Sequence, residues 1–233
     1  GGTDGEERPP SPGCAGEFDD VDFGGGLAGC PGPVEDTHRR LSYARSRLCD
    51  ADVETLDFLE ESYSYQEVDF SQNELTDAAL PKILDLCSRC RALKVVKLYK
   101  NRIGDEGAHT LADFFARYWF IREVHLSHNR FTADGITSMV ASAASTRPEE
   151  AEPLWIRVEN NAVRDQRSLL VDLEHSWQVC PRRPDCTQFR CCIGSKVHLP
   201  FLDMDREKRE SKMAAEKRGV RLRSRSREAP PHG

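Results

Sequence analysis

The chain has 233 residues, 38% hydrophobic and 31% charged, with a formal net charge of −6. That length suits one domain of moderate size, and no run approaches the ~20 apolar residues that span a bilayer as a helix. Nine cysteines, odd in number and irregularly scattered, do not form the framework of a small secreted domain, and no basic-then-apolar stretch opens the chain.

Charge is unevenly placed. Residues 1–62 carry 15 acidic and 5 basic groups, 63–179 carry 17 and 14, and 180–233 carry 7 and 14, an acidic head and a basic tail. Residues 1–36 are rich in Gly and Pro and hold few large apolar groups, so a disordered segment is expected. The triplet Gly24-Gly25-Gly26 has neither the lysine nor the strand-turn-helix setting of a phosphate cradle. Over 37–62, Leu41, Ala44, Arg45, Leu48, Val53, Leu56 and Leu59 fall three or four apart in two runs. That spacing predicts a helical N-terminal cap, which an open stack of repeats needs to shield its first apolar layer; a separate helical interaction module is the alternative.

Residues 63–179 repeat. Val68, Phe70, Asn73 and Leu75 correspond to Val96, Leu98, Asn101 and Ile103, and again to Val124, Leu126, Asn129 and Phe131, at a period of 28 residues. A fourth copy, Ile156, Val158, Asn161 and Val163, follows after 32, the extra residues fitting a longer polar loop at Ser145–Glu150. Each copy alternates like a short half-buried strand, turns, and then changes to helical spacing. Leu80, Ile83, Leu84 and Cys87 recur as Ala108, Leu111, Ala112 and Phe115, then as Ile136, Met139, Val140 and Ala143, while Leu169, Leu170 and Leu173 mark a last helix in slipped register. A unit of this size cannot bury its apolar face alone, so the copies must stack.

The run from Asn101 to Ala108, followed by Leu111 and Ala112, resembles the leucine-rich repeat of ribonuclease-inhibitor-like proteins. The likeness covers about half the chain. It implies an α/β fold, a short solenoid with parallel strands on the concave face and helices on the convex one. Pro153 departs from the pattern, standing where the other copies have Tyr65, Leu93 and Ile121.

Asn73, Asn101, Asn129 and Asn161 leave each strand at the turn, where a buried amide must find partners; a structural ladder between coils is expected. With the valines inward, alternation turns the neighbouring residues out. Neighbouring strands lie about 4.8 Å apart, so Asp69, Lys97, His125 and Arg157 would form one mainly basic column. With Tyr99, Lys100, Glu123 and Trp155 they are the expected partner-binding residues, Tyr99 and Trp155 being the usual anchor types. The alternative is an ordinary solvated sheet face. His125 and His128 diverge and are not expected to share a metal. Cys87 and Cys90 lie late in a repeat helix with no second pair, and are expected to be structural.

Residues 180–202 are rich in Cys and His. Cys180-x5-Cys186-x4-Cys191 followed by His198 is similar to a Cys3His zinc finger, a family that binds single-stranded RNA, though the last gap is six residues where that family uses three. Zinc at these four, or a C-terminal cap using the cysteines as small apolar residues, are the two readings; no other cofactor is implied. Residues 203–233 form a charged tail with a helix expected from Asp203 to Gly219, then an Arg/Ser run, Arg221 to Arg227. It suits phosphate neutralisation or nuclear import, against the plainer reading of a solvated tail.

These features predict a non-enzymatic scaffold that binds a protein partner through the concave face, with no membrane association and no small-molecule substrate. The alternative is an RNA-associated protein that uses the Cys/His segment and the tail. The expected location is cytoplasmic, with the nucleus open to it through the Arg-rich run.

Overall fold

The computed structural model describes residues 34–36, 39–181, 186–187 and 190–202. Within them one sheet runs in chain order: β1 (Val34–Asp36), β2 (Arg40–Ser42), β3 (Glu67–Asp69), β4 (Val95–Lys97), β5 (Glu123–His125), β6 (Leu154–Arg157) and β7 (Val197–His198). Strand β1 is antiparallel to β2, and β2 to β7 are parallel. The connections carry α1 (Asp50–Thr55), α2 (Leu80–Arg89), α3 (Asp105–Arg117), α4 (Ala133–Thr146) and α5 (Gln166–Trp177). The fold is an α/β solenoid with strands lining one face and helices the other.

The strand register follows from the repeat. Leu41, Val68, Val96, Val124 and Ile156 are paired across β2 to β6 and all are buried, so one branched or leucyl side chain per coil forms the inner row. Burying each is worth about 1.5–3 kcal/mol. The helices supply the opposing rows: the three sets beginning at Leu80, Ala108 and Ile136 are buried, as are Leu169, Leu170 and Leu173 of α5. Pro81 suits the first turn of α2, Thr132 accepts the amide of Asp134 at the start of α4, and Asp165 accepts that of Ser168 at the start of α5.

The segment 37–62 departs from expectation. Its first part is strand β2, and its helix is confined to α1. Leu41 and Leu48 both point inward, one from the strand and one after the turn, and their separation mimics two helical turns. The coil count among the described residues is therefore five before β7, and the stack opens on strand β1. That strand lies at the end of the segment expected as disordered; residues 1–33 and the tail, including the expected helix from Asp203 and the Arg/Ser run, lie outside the described residues.

The insertion before β6 is tied down from within. Arg147 is 4% exposed, and its guanidinium donates to the carbonyl oxygens of Ile121 and Glu152, each at 2.6 Å. Burial pushes this side chain down to about 10, with Glu152 pulling the other way. The fourth repeat can thus be four residues longer without shifting the strand register, since Glu123 still faces Trp155.

Candidate functional site

The turn after each strand fixes the groove. Asn73 donates to the carbonyls of Tyr43 and Phe70, Asn101 to those of Phe70 and Leu98, Asn129 to those of Leu98 and Leu126, and Asn161 to those of Leu126 and Val158, all at 2.9–3.0 Å. Their side-chain oxygens accept the amides of Leu48, Leu75, Ile103 and Phe131 one coil back, at 3.1–3.2 Å. Each asparagine is therefore satisfied between two coils. The residue before each one, Gln72, Lys100, His128 and Asn160, takes a left-handed backbone with φ of 54–59°. Lys100 and His128 are exposed beside the concave face as a result.

The first and third residues of β2 to β5, and the second and fourth of β6, line that face, enclosing with the turn residues a groove of about 340 Å³ among Asp69, Lys97, Tyr99, His125, Ser127 and Arg157. Its charges are paired, which corrects the expected basic column. Arg40 contacts Glu67 at 3.0 Å and Asp69 at 2.6 Å, Lys97 contacts Glu67 at 2.6 Å, and His125 lies 3.2 Å from Glu123. Arg157 binds the carboxylate of Glu159 through two guanidinium nitrogens. These partly buried pairs neutralise the column.

Asp69 does not stand out toward solvent. It is 2% exposed, and it accepts the amide of Ser71 at 2.9 Å and the Ser71 hydroxyl at 2.5 Å in addition to Arg40. Its place is under the groove floor. Tyr99 is half-buried, its hydroxyl accepting from Gln72 at 3.0 Å, and Lys100 has no ion pair among the described residues. Trp155 is half-buried too, because β7 extends the sheet beside it and the ring of His198 lies 5.7 Å from its own. Arg40 was not anticipated as a groove residue, whereas alternation does place Glu159 on this face. The helical reading of 37–62 hid Arg40, although Leu41 stands 27 residues before Val68.

At the end of the stack, Cys180, Cys186, Cys191 and His198 are brought together, all buried, with their ligand atoms within 4.8 Å of one another. The Sγ atoms of Cys180 and Cys186 are 3.6 Å apart, and Cys192 Sγ, on an exposed residue, is 3.3 Å from that of Cys186. Cys87 and Cys90 are different: both are buried in the repeat core, and Cys90 Sγ contacts the Leu86 carbonyl. Burial pushes the Cys87 thiol well up and the Cys90 thiol to about 11, leaving both protonated and unreactive at neutral pH.

Among the described residues no helix is long and apolar enough to cross a membrane. The Leucine Rich repeat family matches residues 89–112 and 120–140. These two stretches hold β4 with α3 to Ala112, and β5 with α4 to Val140. No curated protein matches the chain. The family match, the in-register parallel sheet and the asparagine turns agree on a leucine-rich-repeat solenoid fold for these coils.

Proposed function

We propose that this chain is a non-enzymatic scaffold of the ribonuclease-inhibitor-like repeat subtype. It binds an extended, acidic segment of a partner protein across the groove between Tyr99 and Arg157. The subtype is supported by the 28-residue period and by a helix on the convex side of each repeat. Leucine-rich repeats are commonly protein-interaction modules, and the scaffold positions whatever contact residues its strands present.

One observation carries the choice of partner chemistry. The groove's strand cations Lys97 and Arg157 are each held by a carboxylate, whereas Lys100 is exposed with no ion pair among the described residues, and the exposed imidazole of His128 stands at the adjacent turn. A carboxylate of the partner would meet these two, with Tyr99 beside them as a half-buried platform. A rigid aromatic adjoining unpaired positive charge is a usual anchor arrangement. The free cysteines among the described residues suit a reducing compartment, consistent with a cytoplasmic location.

The test is selection of peptides from a random display library by the purified chain, followed by binding measurements on the enriched sequences. Acidic peptides should be enriched, Lys100→Glu should abolish their binding, and Tyr99→Ala should weaken it by about 30-fold, as for a hot-spot anchor. Enrichment of sequences without acidic residues, or binding indifferent to both variants, would overturn the reading.

A further inference from the structure

Outside the groove, the densest set of chemistry-bearing side chains is the buried Cys180, Cys186, Cys191 and His198 cluster. We propose that these four hold one zinc ion tetrahedrally, and that the ion fastens the C-terminal cap to the last repeat. Three thiolates and an imidazole are a complete structural zinc set, with no position left open for a water. The four ligand atoms lie within 4.8 Å of one another, close enough to converge on a single ion. Zn–S bonds of about 2.3 Å at tetrahedral angles place two sulfurs about 3.8 Å apart. The 3.6 Å between Cys180 and Cys186 is near that value, and far from the ~2.05 Å of a disulfide.

The backbone brings the ligands together. Cys180 and His198 are parallel bridge partners: the Cys180 amide donates to the Val197 carbonyl at 3.0 Å, and the Leu199 amide to the Cys180 carbonyl at 2.9 Å. Cys191 opens a tight turn closed by the Gly194 amide, with Gly194 at φ +71° where a side chain would be strained. The turn buries Cys191 and leaves Cys192 exposed, so Cys191 is assigned as the ligand. On binding, three thiols release their protons to solvent as three Zn–S bonds form, and His198 gives a lone pair from one ring nitrogen.

The three cysteines form a cluster of their own, apart from the repeat core, and β7 contributes only two residues to the sheet. Val197, Leu199 and Leu202 tie this strand to the repeat core, and a metal cross-link through the separate cysteine cluster would add a second tie. The ion also reaches the groove. His198 adjoins the ring of Trp155, and three residues on, the Phe201 ring lies 5.3 Å from the guanidinium carbon of Arg157.

The experiment uses the full chain, purified under reducing conditions with zinc present, dialysed, and weighed by native mass spectrometry. One retained equivalent of zinc is expected, and cobalt exchanged into the wild-type protein should give the intense visible bands of a tetrahedral thiolate site. Cys191→Ser and Cys186→Ser should each lower zinc affinity at least 100-fold, while Cys192→Ser keeps the full equivalent. Chelation should speed amide exchange across 195–202 and leave the repeat strands protected. The proposal is overturned if reduced wild-type protein retains no zinc and gives no cobalt spectrum. It is equally overturned if Cys186→Ser still holds a full equivalent, or if Cys192→Ser loses the metal and Cys191→Ser does not.

Discussion

A single side chain in this molecule often serves two coils, so its removal is felt twice. Asn101 donates to Phe70 in the preceding coil and to Leu98 in its own, and accepts from Leu75. Asn101→Leu should destabilise the protein by about 1–3 kcal/mol, measured by urea unfolding, because those backbone groups are left without partners. A second ladder runs along the helix starts: Asp50 binds Thr76, Asp77 binds the amides of Gly104 and Gly107, and Asp105 binds Thr132. It requires close approach at Gly135, where an added Cβ would lie 2.1 Å from the Asp105 carboxylate. Gly135→Ala should therefore cost about 1–3 kcal/mol, although alanine favours a helix, by forcing that carboxylate off Thr132. A variant as stable as wild type would remove the argument. The first three asparagines are legible in sequence because they stand 28 residues apart, and the fourth because the rest of its copy comes with it. The aspartates sit at offsets that drift by one residue, 27 and then 28, and so do not announce themselves.

At the scale of elements, burial pattern decided what could be read. The helices α2, α3 and α4 were legible because each is long enough for its buried face to recur. The coil at β2 was not, since Leu41 and Leu48 mimic two helical turns and Ser46 stands where the later coils have asparagine. The groove was legible in which residues line it and illegible in its charge, because ion pairing across strands depends on rotamers that spacing does not encode. The loop before β6 looks polar, yet its Arg147 is a buried anchor; Arg147→Ala should lower stability by about 2–4 kcal/mol by freeing the Ile121 and Glu152 carbonyls. Helix α2 gives a pH dependence. Folding raises the Cys90 thiol from 9.0 to about 11 and moves Cys87 the same way, so above pH 9 the unfolded chain sheds protons that the folded one keeps. The stability due to the protonated thiols is full below about pH 9 and is lost as pH rises through about 11. Chemical denaturation from pH 7 to 11 should show this fall, and Cys87→Ala with Cys90→Ala should flatten it.

For the whole molecule, the repeat stack explains why a recognisable fold says so little about its ligand. The residues that define the repeat are turned inward or spent on neighbouring coils, leaving the strand parity and the turn residues to choose a partner. In the alternative where the Cys/His segment and the Arg-rich tail contact RNA, the tail lies outside the described residues, whereas the groove is built from β2 to β6 and their turns. The most direct test of the central claim places a photo-crosslinking amino acid at Tyr99 in one variant and at Thr110, in the convex cleft between α2 and α3, in another. With an acidic peptide bound, a crosslink from position 99 and none from 110 is the predicted result. Crosslinking from position 110 and none from 99 would place the partner on the helices and contradict the account.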